Sequence, residues 1–329
     1  MKTQVLATAT PEQLETAVAL AVEHLQRGET VALPTETVYG LAADALNVEA
    51  ALKIFEAKER PKFDPLIMHL PDRDWLDQVA SVSSAEARMV EKLVDAFWPG
   101  PLTLVLPRLP IVPDAVTAGL PTVAVRMSAH AVFARVVQAF GHPLAAPSAN
   151  RFGRISPTTA HHVLTELDGR VELIVDAGPT MHGLESTIVA VRDGAIEILR
   201  PGPISFEQLA TFGNVRATAM RERPEAPGQL RSHYAPRTPF LLVPRLDAFT
   251  RPTGKRIGML SLTGETIGNF TVSRSLSPTG DMREAAANLF RCLRELDDAG
   301  LDLIVAEQMP DSGLGVAIND RLRRAAARP

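Results

Sequence analysis

Residues 10–33, TPEQLETAVALAVEHLQRGETVAL, decide the fold class. Thr10 supplies a side-chain oxygen for the first-turn N–H groups, Pro11 suits the first helical position, and Gln13 completes a capping box. Leu14, Ala17, Val18, Ala21, Val22 and Leu25 recur at helical spacing on one face, and Gly28 ends the run. Residues 30–33 then read as a short strand running into Pro34. A capped amphipathic helix that feeds a strand within four residues is the opening of an α/β domain.

The alternation continues outward from there. Helices are expected over residues 48–58, 86–97 and 129–140, and over 157–167, where Ser156-Pro157 looks like a helix start. Strands are expected over 66–70, 102–106, 122–127, 171–176, 186–191 and 195–199, the last two joined by a turn at Asp193-Gly194. Strands that follow one another without a helix indicate a mixed sheet rather than a purely parallel one. Ser205 and Gln208 form a second capping box. Periodicity then stops from Gly213 to Pro239, a stretch holding Pro224, Pro227, Gly228 and Pro236, which reads as a linker. It nevertheless carries the aromatic pair His233-Tyr234. Strands at 240–243, 256–261 and 303–306 with helices at 282–299 and 317–327 follow. The reading is therefore a larger α/β domain at 1–212, a linker at 213–239 and a smaller α/β domain at 240–329; the first carries most of the candidate site residues.

Composition excludes several classes. The chain has 329 residues, 46% apolar and 22% charged, with a net charge of −4. That is the balance of a globular protein long enough to bury a core, and it disfavours extensive or stable DNA binding. The one cysteine, Cys292, cannot form an internal disulfide or a Cys-rich zinc site, and it sits on an apolar helical face. The N-terminus lacks an apolar signal region, and no run approaches the roughly 18 apolar residues of a membrane span, so a cytoplasmic protein is expected. The cluster Arg321, Arg323, Arg324 and Arg328 reads as a solvated helix C-terminus. P-loop, G-x-G-x-x-G, H-E-x-x-H and G-x-S-x-G signatures are missing. His161-His162 would point about 100° apart on a helix and chelate poorly, so no metal site is expected from protein ligands alone.

What remains is a set of polar residues at strand ends and loops. Thr37 follows the first strand, Lys58 and Arg60 end a helix, and His69 lies in a strand. Thr122 and Arg126 share one strand face, Ser148 and Asn150 follow a strand, Ser186 opens one, and Arg200 ends another. Singly, Ser156 reads as a helix cap, His69 as a core histidine and Arg126 as a structural ion pair. Together, cations and hydroxyls at the strand ends of an α/β sheet suit a small anionic substrate, in particular a nucleotide with a small carboxylate.

At these residues the chain resembles the YrdC-like family, specifically the two-domain threonylcarbamoyl-AMP synthases. The resemblance is carried by Pro34–Gly40, Lys58-Glu59-Arg60, Asp64–His69, Trp98–Thr103 and Val123–Arg126. Pro147–Asn150, Ser156–Thr158, Glu185–Thr187, Arg200–Gly202, His233–Pro236, Ala287–Phe290 and Gly313–Gly315 extend it across nearly the whole chain. It implies a YrdC-like mixed twisted sheet with flanking helices and a Rossmann-like second domain. It also implies synthesis of threonylcarbamoyl-AMP from L-threonine, bicarbonate or CO2, and ATP with Mg²⁺, with release of pyrophosphate. A separate tRNA threonylcarbamoyl transferase complex would take the product to ANN-decoding tRNAs. By position, Thr37, His69, Arg126, Ala146 and Ser186 match the threonine side. Arg60, Asp64, Thr122, Ser148, Asn150, Ser156, Arg200 and Tyr234 match the ATP side, and Lys58 and Arg60 are the expected charge-stabilising pair. Asp64 departs from the Asn common in relatives, and beside a triphosphate it would need to pair with Lys62 or Arg60, or help hold Mg²⁺. The linker is expected to act as a lid. Two other readings are an RNA-binding YrdC-like module without chemistry, which would call for a basic excess, and a carbamoyl transferase of hydrogenase maturation, which would call for zinc-finger cysteines.

Overall fold

In the computed structural model, which describes residues 2–217, 225–230, 232–264 and 269–327, the first helix forms where its capping box places it. It spans Pro11–Gln26; Thr10 accepts from the Gln13 N–H while the Gln13 side chain accepts from the Thr10 N–H. Its apolar stripe, Ala17, Val18, Ala21 and Leu25, is buried. The strand that follows is β2 of a larger sheet.

The strands are β1 (Gln4–Ala7), β2 (Val31–Leu33), β3 (Gly40–Asp44), β4 (Ile67–His69), β5 (Leu102–Pro107), β6 (Thr122–Arg126), β7 (Leu144–Ala145), β8 (Leu173–Asp176), β9 (Thr187–Arg192), β10 (Ala195–Arg200) and β11 (Asn214–Ala217). They make one eleven-stranded sheet in the order β1-β8-β2-β3-β7-β4-β6-β5-β9-β10-β11. The pairs β4·β6, β5·β9 and β10·β11 are parallel, whereas β2·β3, β3·β7, β4·β7, β5·β6 and β9·β10 are antiparallel. The sheet is mixed, as the adjacent late strands implied.

The strands Gln4–Ala7, Leu144–Ala145 and Val272–Ser275 are absent from the sequence reading, and three further departures have identifiable physical causes. β3, Gly-Leu-Ala-Ala-Asp, has no β-branched residue and is a strand because β2 and β7 flank it, a tertiary override of weak propensity. β11 lies inside the stretch read as linker; parallel pairing with β10 draws it into the sheet, so the first domain extends to Ala217. The helix expected from Ser156-Pro157 begins instead at Ala160, because Thr159 supplies the cap by accepting from the His162 N–H. Ser156 is free for other work.

Alternate residues of the sheet feed opposite cores. Ala32 and Ile174 pack with Ile54, Leu93 and Val163, whereas Val31, Leu33, Leu173 and Val175 pack with Leu25, Phe133 and Val136. A third cluster, Ile67, Val105, Ala124, Ile188, Ala190 and Leu199, is covered by the linker residue Ala226. The linker therefore crosses this part of the sheet face.

The second domain is a four-stranded parallel sheet, β12 (Phe240–Val243), β13 (Ile257–Ser261), β14 (Val272–Ser275) and β15 (Leu303–Glu307), in the order β12-β15-β13-β14. Helices Met282–Asp297 and Leu314–Ala326 pack on it. Cys292 is buried in the former, and burial pushes its thiol up to about 11, so it is a core residue. The arginine cluster is not the solvated end expected: Arg321 is 0% exposed while Arg323 is exposed, and Arg328 lies outside the described residues. The two domains share one core, in which Val38, Ile155, Leu184 and Tyr234 join Leu289, Phe290, Leu293 and Ile318. Gly183 marks the closest approach. Its φ is +65°, and a Cβ there would lie 2.5 Å from the Ala287 Cα. Among the described residues no helix is long and apolar enough to cross a membrane.

Candidate active site

Strand register alone brings the first group of polar residues together. β4 and β6 run parallel with His69 opposite Arg126, so both strands deliver their last residue to the same edge. β7 runs antiparallel to β4 with Ala145 opposite Met68, which sets Ala146 beside them; its N–H donates to the Ile67 carbonyl at 2.9 Å. β9 starts level with β5, Thr187 opposite Leu102, and places Ser186 at that edge. Thr37 lies in the loop between β2 and β3, and Gly40 at its end bridges to Ser148. Thr37, His69, Arg126, Ala146 and Ser186 thus line one cavity of about 510 Å³ of empty space, mouth included. Arg60, Ser148 and Arg200 extend it, and the linker residues Pro227, Gly228, His233 and Tyr234 close it.

Each arginine is held differently. Arg126 forms a buried ion pair through Nη2 with Glu36, donates from Nη1 to Thr37 Oγ1 at 3.2 Å, and leaves Nε without a partner. Burial pushes the Glu36 carboxyl up, but Arg126 and the Ser128 hydroxyl, which donates at 2.5 Å, outweigh it and hold the group below its usual range. Arg60 donates to the carbonyls of Asp64 (3.2 Å) and Pro65 (2.7 Å), and its Nη2 is 2.9 Å from the Asp64 carboxylate. Asp64 therefore neutralises Arg60; Lys62 is not its partner, and its side chain does not line the cavity. Burial raises the Asp64 pKa against the opposing pull of Arg60 and Lys58. Arg200 has no carboxylate partner among the described residues. It donates to the Ser186 carbonyl (3.0 and 3.2 Å), to Ser186 Oγ (3.1 Å) and to the Pro227 carbonyl (3.1 Å). Ser186 Oγ also lies 2.7 Å from Thr103 Oγ1.

Five of the sequence-derived residues lie outside the lining: Asp64, paired with Arg60, together with Lys58, Asn150, Ser156 and Thr122. Lys58 is buried with its Nζ donating to the carbonyls of Ser148 (2.5 Å) and Asn150, and burial, then Arg60, pushes its amine well below the usual lysine range. Asn150 in turn donates from Nδ2 to the carbonyls of Arg151 and Arg154, both at 2.9 Å. The K-x-R lysine thus grips the S-x-N loop, and the two motifs form one device that positions Ser148. Ser156 donates to Glu185 Oε1 at 2.5 Å, and Glu185 lines the cavity. Thr122 shares a strand face with Arg126 but sits four residues away, about 13 Å along the strand, outside the lining.

Burial favours the neutral ring at both cavity histidines, His69 and His233. Burial, then Arg126, pushes His69 well below its usual value; its Nδ1 has no partner, and its ring packs 4.6 Å from Phe133. Burial, then Arg60 and Lys58, does the same to His233. Tyr234 has a φ of 62°, uncommon away from glycine. Its ring stacks on Phe290 at 5.6 Å and meets the Arg321 guanidinium at 5.2 Å. Gly228 allows this closure: its φ is +80°, and a Cβ would lie 2.7 Å from the Tyr234 hydroxyl.

The sequence reading assigned no role to Thr35, Glu36, Glu185 or Arg321. The first three lay inside quoted motifs, as the neighbours of named residues. Arg321 had no local signal, since its partner Glu185 is 136 residues away.

Residues 23–202 match the family model described as telomere recombination, which groups Sua5, YciO and YrdC, and residues 204–327 match the model of the threonylcarbamoyl-AMP synthase C-terminal domain. The threonylcarbamoyl-AMP synthase of Pyrococcus abyssi is 39% identical over 94% of both chains. That of Bacillus subtilis is 40% identical over 94% of this chain and 92% of its own. The crystal structure of P. abyssi Sua5 complexed with L-threonine superposes with a TM-score of 0.89 at 37% identity, covering 98% of each chain. Escherichia coli YciO shares the first domain's fold, with a TM-score of 0.51 over 61% of this chain at 20% identity.

Proposed function

The chain belongs to the two-domain threonylcarbamoyl-AMP synthases, and from that premise we propose that the closed cavity joins L-threonine, bicarbonate or CO2, and ATP into threonylcarbamoyl-AMP and pyrophosphate, with water also lost when bicarbonate is the carbon source. The observation that carries this reading is the pairing of charges. Of the three buried arginines at the cavity, Arg200 has no ion-paired carboxylate among the described residues, while Arg60 and Arg126 are already neutralised by Asp64 and Glu36. Buried, unneutralised guanidinium is costly unless an anion completes it, and a triphosphate does so.

In this reading the threonine carboxylate takes the open Nε of Arg126 and displaces the Thr37 hydroxyl contact, while the neutral ring of His69 and Ser186 Oγ face the rest of the amino acid. The amine adds to CO2 and loses a proton, giving a carbamate. A carbamate oxygen then forms a bond to the α-phosphorus as the bond to pyrophosphate breaks. No protein nucleophile is required; the chain supplies position and charge stabilisation. Arg60 and Arg200 meet the phosphates, and Ser148 is held at the nucleotide by the Lys58–Asn150 device. Tyr234 and His233 exclude water from the carbamate and the mixed anhydride. Among the described residues no group of three His, Cys, Asp or Glu side chains clusters for a metal, and Glu185 and Asp64 each hold an arginine. Mg²⁺ would accompany the triphosphate and help neutralise charge on the leaving pyrophosphate. The product would pass to a tRNA threonylcarbamoyl transferase complex in the cytoplasm.

Pyrophosphate release from ATP and Mg²⁺, with threonine and bicarbonate omitted in turn, tests the proposal. Release that needs both supports it. Release with threonine alone in CO2-depleted buffer would replace it with direct amino-acid activation, and no release under any condition would overturn the catalytic reading.

A further inference from the structure

We propose that Arg321, from the second domain, is the positioning residue that holds the floor of the cleft and its linker roof together. It lies on helix Leu314–Ala326 and is fully buried at the domain interface. Its Nε donates to Glu185 Oε2 at 2.9 Å, its Nη1 to Asp320 Oδ2 at 2.7 Å, and its guanidinium carbon lies 5.2 Å from the Tyr234 ring. Glu185 belongs to the floor: it lines the cavity, accepts from Ser156, and precedes the Ser186 that holds Arg200. Tyr234 belongs to the roof. One side chain thus touches both halves of the cleft from a domain that, among the described residues, contributes none to its lining.

Adhesion between the domains does not explain it. Apolar contacts around Phe290, Leu289 and Ile318 already join them, and a buried ion pair adds little net stability over packed apolar residues. What a guanidinium adds is geometry. Its planar donors reach two carboxylates at once, Nε on Glu185 and Nη1 on Asp320, and its face supports a tyrosine whose backbone is in the left-handed region. The same helix holds the linker a second time. Arg324, one turn on, donates to the Leu230 carbonyl, and its own carbonyl accepts from the His233 N–H at 3.3 Å. The second domain is on this view a clamp that keeps the roof shut while the anhydride is made.

The inference rests on the synthase reading, and the test separates the two. Full-length Arg321→Met and Arg321→Lys are compared with the unaltered protein by pyrophosphate release, by threonine binding in calorimetry, and by the rate at which protease cuts the chain between the domains. For Arg321→Met the expected result is a kcat at least tenfold lower, threonine affinity within about threefold, and faster cleavage. Arg321→Lys keeps the charge without the fork and should recover only part of kcat. A folded Arg321→Met with kcat and cleavage within twofold of the unaltered protein overturns the inference, as does a parallel loss of kcat and threonine affinity that tracks only the folded fraction. If Arg321→Met does not fold, Arg321→Lys decides: kcat within twofold overturns the clamp, and a threefold or larger drop at unchanged threonine affinity supports it. Failure of the unaltered protein to release pyrophosphate would remove the synthase reading and leave the cleavage comparison standing.

Discussion

The floor of the cleft is made of strand ends and its roof of a linker, and the two are secured by different means. On the floor, backbone register does the positioning: His69 faces Arg126 across a parallel pair, and Ser186 follows from the β5·β9 register. These positions cannot shift without breaking the sheet. The roof has no ladder. Pro227 is held through its carbonyl by Arg200, Gln229 by donation to the Leu199 carbonyl at 3.1 Å, Ala235 by donation to the Gly153 carbonyl at 2.8 Å, and Tyr234 by second-domain contacts. Side-chain and single backbone bonds of this kind are individually worth about 1 kcal/mol. The floor is therefore fixed by the sheet, whereas the roof rests on contacts that can be lost one at a time.

Four experiments break or sharpen that contrast. Arg126→Ala, on the floor, should have the largest effect, because it removes the proposed carboxylate contact and leaves Glu36 buried without its cation. A stability loss of about 3–5 kcal/mol is expected, read in denaturant melts, with threonine-dependent turnover down at least a hundredfold. Arg60→Ala should cost about 2–4 kcal/mol of transition-state stabilisation, by analogy with oxyanion donors. Pairing it with Asp64→Asn removes the orphaned carboxylate, so melts should recover stability while turnover stays low. Turnover of Arg60→Ala within twofold of the unaltered protein would exclude Arg60 from the chemistry.

Gly228→Ala addresses the roof alone. A methyl at φ +80° lies 2.7 Å from the Tyr234 hydroxyl and 3.1 Å from the Arg200 Cδ. It should cost about 1–2 kcal/mol of stability and lower kcat about tenfold, with threonine affinity in calorimetry nearly unchanged. Equal damage to affinity and kcat would mean that floor and roof are not separable.

The smallest effect is in the pH profile. His69 and His233 have folded pKa values well below those of the free imidazole. The unfolded chain then binds protons that the folded one does not, so stability falls as pH drops through about 6.5, before the carboxylates titrate. The melting temperature measured from pH 7.5 to 5 should decline, and His69→Asn and His233→Asn should each flatten the decline. A roof that stands open in solution would let His233 titrate normally, and only the His69 substitution would then change the slope.

Much of the molecule was legible residue by residue. The capping boxes at Thr10 and Ser205, the helical stripe ending at Gly28, and helix Val48–Lys58 formed where short-range chemistry placed them. So did the mixed sheet, because consecutive strands without a crossover leave little else possible. The five residues matched to the threonine side line the cavity, as do Arg60, Ser148, Arg200 and Tyr234 on the nucleotide side. They lie at strand ends, after a helix end or in the linker, within or beside the quoted motifs, so their types and places could be read from neighbouring residues.

Other assignments depended on contacts that no local pattern carries. β3 is a strand through its neighbours, and β11 was hidden among prolines and glycines. Lys58, Asn150 and Ser156 carry the right motifs yet act one layer behind the cavity, because motif spacing records that residues belong to a site without saying which atom faces the substrate. Asp64 was settled by an ion pair with Arg60, and Arg321 passed for a surface charge until the fold set it against Glu185, 136 residues away. The sequence by itself determined the elements, the family and the chemical types present, since propensity, capping and motif are short-range. Which charges cancel, which stay open to an anion and what closes the cleft were decided only by the tertiary structure, because burial and pairing are properties of residues brought together from distant parts of the chain.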